Sequence, residues 1–409
     1  MKKEVVSQNA YIFNADELDS WSLMPTEQAS KAINLSEYML TQGRFNADAN
    51  VTLVEMSERF TNAGVPLDRC ATIVRILHSI NSASMRVWEP EKGAEYSAIP
   101  YKSNPDGQYT SSPSALAHST RSWVRFNPQL TPENAFGIVP ELKQGGFTDY
   151  LCVPTFMVNQ MQNVFTFATR AANGFSIQNI AFIKAAFPAI EACQEILVTH
   201  RILKEVTRIY VGEEPHRRIL AGDVRRGEVT RINSSILFAD MRGFTRMTAD
   251  LSAEASTALL NDYYDCVVPA IEQNGGEVLK FIGDGILAIF RAGNKEQEAC
   301  QKALAAGKVA LENVAARNAQ NSQKFDIGVA LHFGEVAYGN VGSGERLDYT
   351  VIGADVNLAS RIADLCGKLD QSMLISSDFQ EFVAGQEVLP MGDHELKGIK
   401  KPTPVFAVV

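Results

Sequence analysis

The sequence predicts an α+β protein of two unlike halves, and three observations carry that reading. The chain has 409 residues, enough for two or three domains of about 100–200 residues each. Its first half passes from helical periodicity through short β-rich runs to a closing helix, whereas its second half alternates strands with helices and interrupts them with hairpins. Apolar residues make up 45% and charged residues 21%, close to the roughly 45–50% and 25% of folded soluble domains, which excludes disordered, collagen-like and coiled-coil-only classes.

Taken in order, residues 24–80 read as helical, with apolar residues three and four apart at Leu53, Met56 and Phe60 and again at Ile73, Val74 and Leu77. Asn62-Ala63-Gly64-Val65-Pro66 supplies a helix stop and a turn. Residues 84–170 carry β-rich runs at 85–88, 150–153 and 164–168, separated by Gly, Pro, Ser and Asn clusters, as in an antiparallel sheet with a long irregular insertion around 101–120. Ser176 is a good N-cap for a helix running toward Tyr210. That helix carries a seam of Phe182, Ala185, Ala189, Ala192, Ile196, Thr199, Leu203, Val206 and Tyr210, which fits either a short two-stranded coiled coil or a face packed on its own domain; Pro188 should kink it. The stretch 212–227, with His216-Arg217-Arg218 and Arg225-Arg226, reads as a polar connector whose basic residues face solvent.

The second half opens with a hydrophobic strand, Ser234–Asp240, that ends on a carboxylate. A helix over 252–274 follows, then two strands joined by a Gly283-Asp284-Gly285 turn, an alanine-rich helix over 297–318 and a strand over 325–331. This succession is that of a ferredoxin-like βαββαβ sandwich.

The 47 acidic residues outnumber the 38 basic ones, giving a formal charge of −9 that disfavours nucleic acid as a partner. No apolar stretch reaches the roughly 18–20 residues of a membrane span, and Met1-Lys2-Lys3-Glu4 leads into polar sequence, so a soluble cytoplasmic protein is expected. The six cysteines lie far apart without a Cys-x-x-Cys pair and read as reduced, buried thiols. His78, His118 and His332 read as structural histidines, and Trp88, Trp123, Phe147 and Phe165 as core.

Two carboxylates stand at a strand end and a turn, Asp240 and Asp284, where side chains can meet over a sheet edge. Such a pair suits Mg²⁺, which takes one or two protein carboxylates together with substrate phosphates. Asn357 and Arg361, four apart on a helix, can address one ligand.

Around these residues the chain resembles the class III nucleotidyl cyclases over roughly 232–409. The resemblance rests on Phe238–Thr245, Lys280–Gly285, Asp348–Gly353, Val356–Arg361 and Leu396-Lys397-Gly398. It implies an adenylate cyclase that converts ATP to 3′,5′-cyclic AMP and pyrophosphate at a homodimer interface with two shared sites. Asp240, Asp284 and the Met241 carbonyl would hold two Mg²⁺ or Mn²⁺ ions, and amides near Phe244 and Thr245 would meet the triphosphate. Lys280 and Thr350 would read the base, Asn357 would orient the ribose and Arg361 would stabilise the charge at the α-phosphate. Lys397, helped by Arg346, would hold the departing pyrophosphate. Similar guanylate cyclases carry Glu where Lys280 stands, which favours ATP. Thr350 replaces the usual Asp, as in the subgroup stimulated by bicarbonate, so bicarbonate response is expected by resemblance. Residues 30–200 look similar to the amino-terminal half of some bacterial soluble cyclases and, more loosely, to GAF-type sensor domains, through Gly64–Arg69, Gly146–Tyr150, Phe167–Arg170 and Gly174–Ser176. The implied organisation is a GAF-like regulatory domain over 1–180 for an unknown small effector, a signalling helix and connector over 181–231, and a catalytic domain over 232–409.

Overall fold

Leu35, Tyr38 and Met39 lie three and four apart on helix α1 (Thr26–Thr41) and are buried, as are Leu53, Met56 and Phe60 on α2 (Ala49–Asn62). Both helices therefore turn one apolar face to a shared core. Asp48 caps α2, accepting from the Asn50 amide at 2.8 Å, and Gly64 ends the segment in a left-handed conformation at φ 83°. The computed structural model describes residues 10–101 and 109–409, which divide into one unit reaching Ile209 and another spanning Tyr210–Val409.

The first unit is built on a seven-stranded sheet with the order β1-β5-β6-β7-β2-β3-β4. Its strands are β1 (Ala10–Phe13), β2 (Arg69–Arg75), β3 (Asn81–Glu89), β4 (Gly93–Pro100), β5 (Trp123–Phe126), β6 (Asp149–Phe156) and β7 (Gln162–Thr169), paired antiparallel throughout. The pleat sorts the side chains: Leu151, Val153, Phe165 and Phe167 join the core under α1 and α2, while Tyr150, Cys152, Val164 and Ala168 join a second core on the other face. Helix α3 (Pro113–Thr120) belongs to that second face through buried Ala117. Helix α4 (Ile177–Val211) starts where Ser176 Oγ accepts from the Asn179 amide at 3.2 Å, and its Phe182 ring meets Phe60 at 5.5 Å.

Three expectations change. Ile73 and Val74 lie on strand β2 instead of a helix, because Cys70–Val74 is a short, mostly β-branched run buried on both faces, and apolar spacing alone does not separate such a strand from a helix. The insertion expected around 101–120 contains helix α3, while 102–108 and the Met1–Glu4 start lie outside the described residues. The polar connector contains helix α5 (Glu213–Ala221), whose Arg217 and Arg218 both bond Glu214 within the first two turns.

The second unit places β8 (Val229–Met241), helix α6 (Ala253–Gln273), β9 (Glu277–Ile282), β10 (Gly285–Arg291), helix α7 (Glu296–Gln320) and β11 (Ile327–Gly342) in the strand order β11-β8-β10-β9. In chain order this is 4-1-3-2, the split βαβ arrangement expected from the sequence. Strand β12 (Leu347–Ile352) pairs with β11, and β13 (Met373–Ser376), β15 (Thr403–Val408) and β14 (Val388–His394) extend the sheet beyond it. Helices α6 and α7 cover one face through Tyr263, Val267, Ala303 and Ala306, and helix α8 (Ala354–Cys366) covers the other through Ala359 and Ile362. His332 is buried and bonds Ser376 Oγ at 2.8 Å, a structural role. His118 is likewise held, between Tyr109 Oη at 2.8 Å and the Asn163 carbonyl at 2.9 Å. Among the described residues no helix is long and apolar enough to cross a membrane.

Candidate active site

Strand register brings the two carboxylates together. Ala239 of β8 pairs with Ile286 of β10 and Asp240 with Gly328 of β11, so Asp240 comes level with the turn that joins β9 to β10. Gly283 takes φ 62° in that turn, which glycine adopts without steric cost. Tyr264 of α6 clamps it, donating its hydroxyl to the Gly283 carbonyl at 2.6 Å. A Cβ on Gly285 would stand 3.9 Å from Asp240 Oδ1, so this carboxylate lies over the turn that carries Asp284. Burial, then the charge of Asp284 and a hydrogen bond to it, push the Asp240 carboxyl up to about 7. Tyr263 sits close by with its hydroxyl buried and, among the described residues, without a partner, and burial followed by the Asp240 charge holds its proton on far above the ordinary range.

Two acids that repel strongly enough for one to keep a proton near neutrality form a donor set suited to a hard divalent cation, which relieves the repulsion. The Met241 side chain is buried in the core, leaving its backbone for any contribution to this edge. Gly243, at φ 69°, opens the short helix Phe244–Thr248, where Phe244 packs against the core and Thr245 is exposed. Among the described residues no side chain caps this helix.

Lys280 of β9 donates from Nζ to Asp348 Oδ2 of β12 at 2.7 Å. That hydrogen bond holds the Asp348 carboxyl below the usual carboxylate range. Thr350, buried and paired with Gly339 of β11, lies two residues along from Asp348 and therefore on the same face of the strand. Asp348, paired with Lys280, and Thr350 thus share one face of β12. Asp348 has no role in the sequence reading, although the two-residue spacing to Thr350 is a signal that could have found it.

The remaining candidates lie on α8 and in the turns on either side of it, and Asp364 of α8 is near enough to Asp240 for its charge to help raise that carboxyl. Asn357 is exposed on α8, and Arg361, one turn on, bonds Asp364 Oδ2 at 3.2 Å. Arg346 is exposed in the turn between β11 and β12, where its amide bonds Ser343 Oγ at 3.2 Å. Lys397 lines an open cleft together with Lys400 and Lys401, two cations absent from the sequence reading although three lysines within five residues announce them.

Residues 229–408 match the family model described as the adenylate and guanylate cyclase catalytic domain. The chain is 34% identical over 168 residues to an adenylate cyclase of Anabaena cylindrica, covering 38% of this chain and 31% of that protein. It is 33% identical over 146 residues to an uncharacterized protein of Mycobacterium tuberculosis, covering 36% and 26%. The chain thus spans about a third or less of these curated relatives. Among solved structures, the adenylyl cyclase CyaB from P. aeruginosa is 29% identical with a TM-score of 0.40, covering 44% of this chain and 96% of that one. The guanylyl cyclase Cya2 is 33% identical with a TM-score of 0.39, covering 44% and 93%. The matched range coincides with the segments on which the cyclase resemblance rests.

Proposed function

We propose that this chain is a homodimeric class III adenylate cyclase whose catalytic residues lie in 232–409 and whose first unit regulates them. The observation that carries the proposal is the Asp240–Asp284 carboxylate pair set at a sheet edge within a range that matches the cyclase catalytic domain, with Lys280 and Thr350 of the second subunit to read the base.

Asp240 and Asp284, with the Met241 carbonyl, would hold two Mg²⁺ or Mn²⁺ ions, which when bound lower the pKa of a hydroxyl and offset phosphate charge. The amides of Phe244 and Thr245 meet the triphosphate as donors. Lys280 donates to N1 of adenine while Thr350 accepts from the exocyclic amine, and Asp348 fixes the ammonium between them. Asn357 orients the ribose so that its 3′-oxygen faces the α-phosphorus. A bond forms between those atoms as the bond to the pyrophosphate oxygen breaks. Arg361 stabilises the charge that develops there, and Lys397 and Arg346 hold the leaving pyrophosphate.

The outer position of β9, the edge strand of its sheet, with Phe281 and Ile282 both about half exposed, supports a site completed by a second copy, in which the metal carboxylates of one subunit would meet the base, ribose and phosphate contacts of the other. Bicarbonate stimulation rests on Thr350 alone. Cyclic nucleotide formation by the purified chain, from ATP and from GTP with Mg²⁺ or Mn²⁺, tests the proposal: cyclic AMP is the expected product, and the absence of any cyclic nucleotide overturns it.

A further inference from the structure

The first unit contains an apolar cavity of about 70 Å³ between helices α1, α2 and α4 and the sheet, lined by Leu53, Met56, Val74, Phe165, Ile190 and Leu197 among others. Its wall also carries Arg86, Gln194 and Arg201, and these are the unusual feature. Arg86 Nε donates to Asn50 Oδ1 at 3.0 Å and Arg201 Nη2 to Tyr96 Oη at 3.0 Å, while both guanidinium groups lie over the Tyr96 ring at 5.0 and 5.3 Å. Two like charges therefore converge on one ring, and among the described residues neither bonds a carboxylate. Burial and then the neighbouring Arg201 lower the proton affinity of Arg86. Gln194 is anchored at one end, where its Oε1 accepts from Thr155 Oγ1 at 3.2 Å, and its Nε2 is buried with no partner among the described residues.

Paired guanidinium groups and an unfilled amide donor call for an oxyanion, and an apolar cavity behind them calls for a hydrocarbon body. Roughly 10–15 Å³ is enough to admit one water-sized group, so the cavity takes a hydrocarbon segment of several methylene groups. A second, more polar chamber of about 180 Å³, lined by His78, Tyr96, Glu205 and Arg208, shares Ile76, Arg201 and Ile202 with the first.

We propose that this cavity binds a medium-chain monocarboxylate of about six to eight carbons, its tail among the apolar residues and its carboxylate held by Arg86, Arg201 and Gln194. Its meaning as an effector site rests on the regulatory reading of this unit; the binding itself does not. All three tryptophans, Trp21, Trp88 and Trp123, precede Ile209, so intrinsic fluorescence reads this unit within the full chain. In thermal melts followed by that signal, 1 mM octanoate should raise the midpoint by about 3 °C or more, with octanol and octylammonium giving less than a third of that shift. Arg201→Gln should weaken octanoate binding by about tenfold or more. Ala49→Phe, which adds bulk at the cavity wall and keeps both arginines in the sequence, should abolish the shift and serves if the arginine variant does not fold. Equal shifts from octanoate and octanol, a shift that survives either substitution, or none up to 5 mM octanoate overturns the proposal. Turnover is not read, so an inactive cyclase leaves this site standing, and an empty cavity leaves the cyclase reading standing.

Discussion

Asp240 is held in a state that costs stability. In the fold its carboxyl keeps a proton up to about pH 7, whereas in the unfolded chain it loses it near pH 4. The unfolded state therefore releases this proton first as pH rises, and the stability contributed at this position falls between those two values. Asp240→Asn should raise the melting temperature of the metal-free protein at pH 8, with the gain vanishing near pH 4. Circular dichroism melts in EDTA at both pH values check this, and added Mn²⁺ should raise the wild-type midpoint but not that of the variant. The same substitution should lower turnover by about 10²–10³-fold. Base choice is the second test at this scale. Lys280→Glu places a carboxylate against Asp348 and reverses the donor pattern offered to the base, so the ATP-to-GTP ratio of kcat/KM should fall by about tenfold. An unchanged ratio removes Lys280 from base recognition. Asp240 and Asp284 were legible because a strand end and a Gly-x-Gly turn are recognisable without tertiary structure. Asp348 offered only its two-residue spacing from Thr350, since its 2.7 Å bond is to a residue 68 positions away.

Helix α4 shows how far periodicity carries at the scale of one element. Its seam begins buried, at Phe182 and Ala189, and then emerges: Ile196 is 44% exposed, Leu203 49% and Tyr210 83%. The first half is therefore packed on its own core, as one of the two readings of the heptad spacing has it, and the seam of the second half is exposed among the described residues. If the chain is a homodimer, Leu203→Glu should weaken self-association by about tenfold or more in sedimentation equilibrium while leaving the helical circular dichroism unchanged. The caps of this unit were readable from local chemistry, since Ser176 and Gly64 act within three or four residues of themselves. The Cys70–Val74 strand was not, because what makes it a strand is its pairing with β3 and β7, on neighbours far along the chain.

For the molecule as a whole, a site completed across two copies makes a prediction that no single-chain enzyme shares. Asp240→Ala and Arg361→Ala chains, each inactive alone, should recover activity when mixed, because one of the two sites in each heterodimer then carries neither lesion. Verified heterodimers that stay inactive exclude the shared site. The strand order of the second unit was legible as a whole because helix and hairpin lengths constrain it, whereas the extension through β13, β15 and β14 was not, as it needs a parallel pairing of β11 with β13 across an intervening helix. The six cysteines are free and buried, and burial pushes the thiols of Cys70, Cys152, Cys300 and Cys366 up to about 12. Cys193 rises to about 11, and Cys266 is raised as well, again chiefly through burial. Thiolate is the species that alkylating reagents attack, so the native chain should be almost blind to maleimide. A single cysteine introduced at Leu203 would then carry a spin label or fluorophore with little background, making distances between two copies measurable without first stripping the protein of its own sulfur.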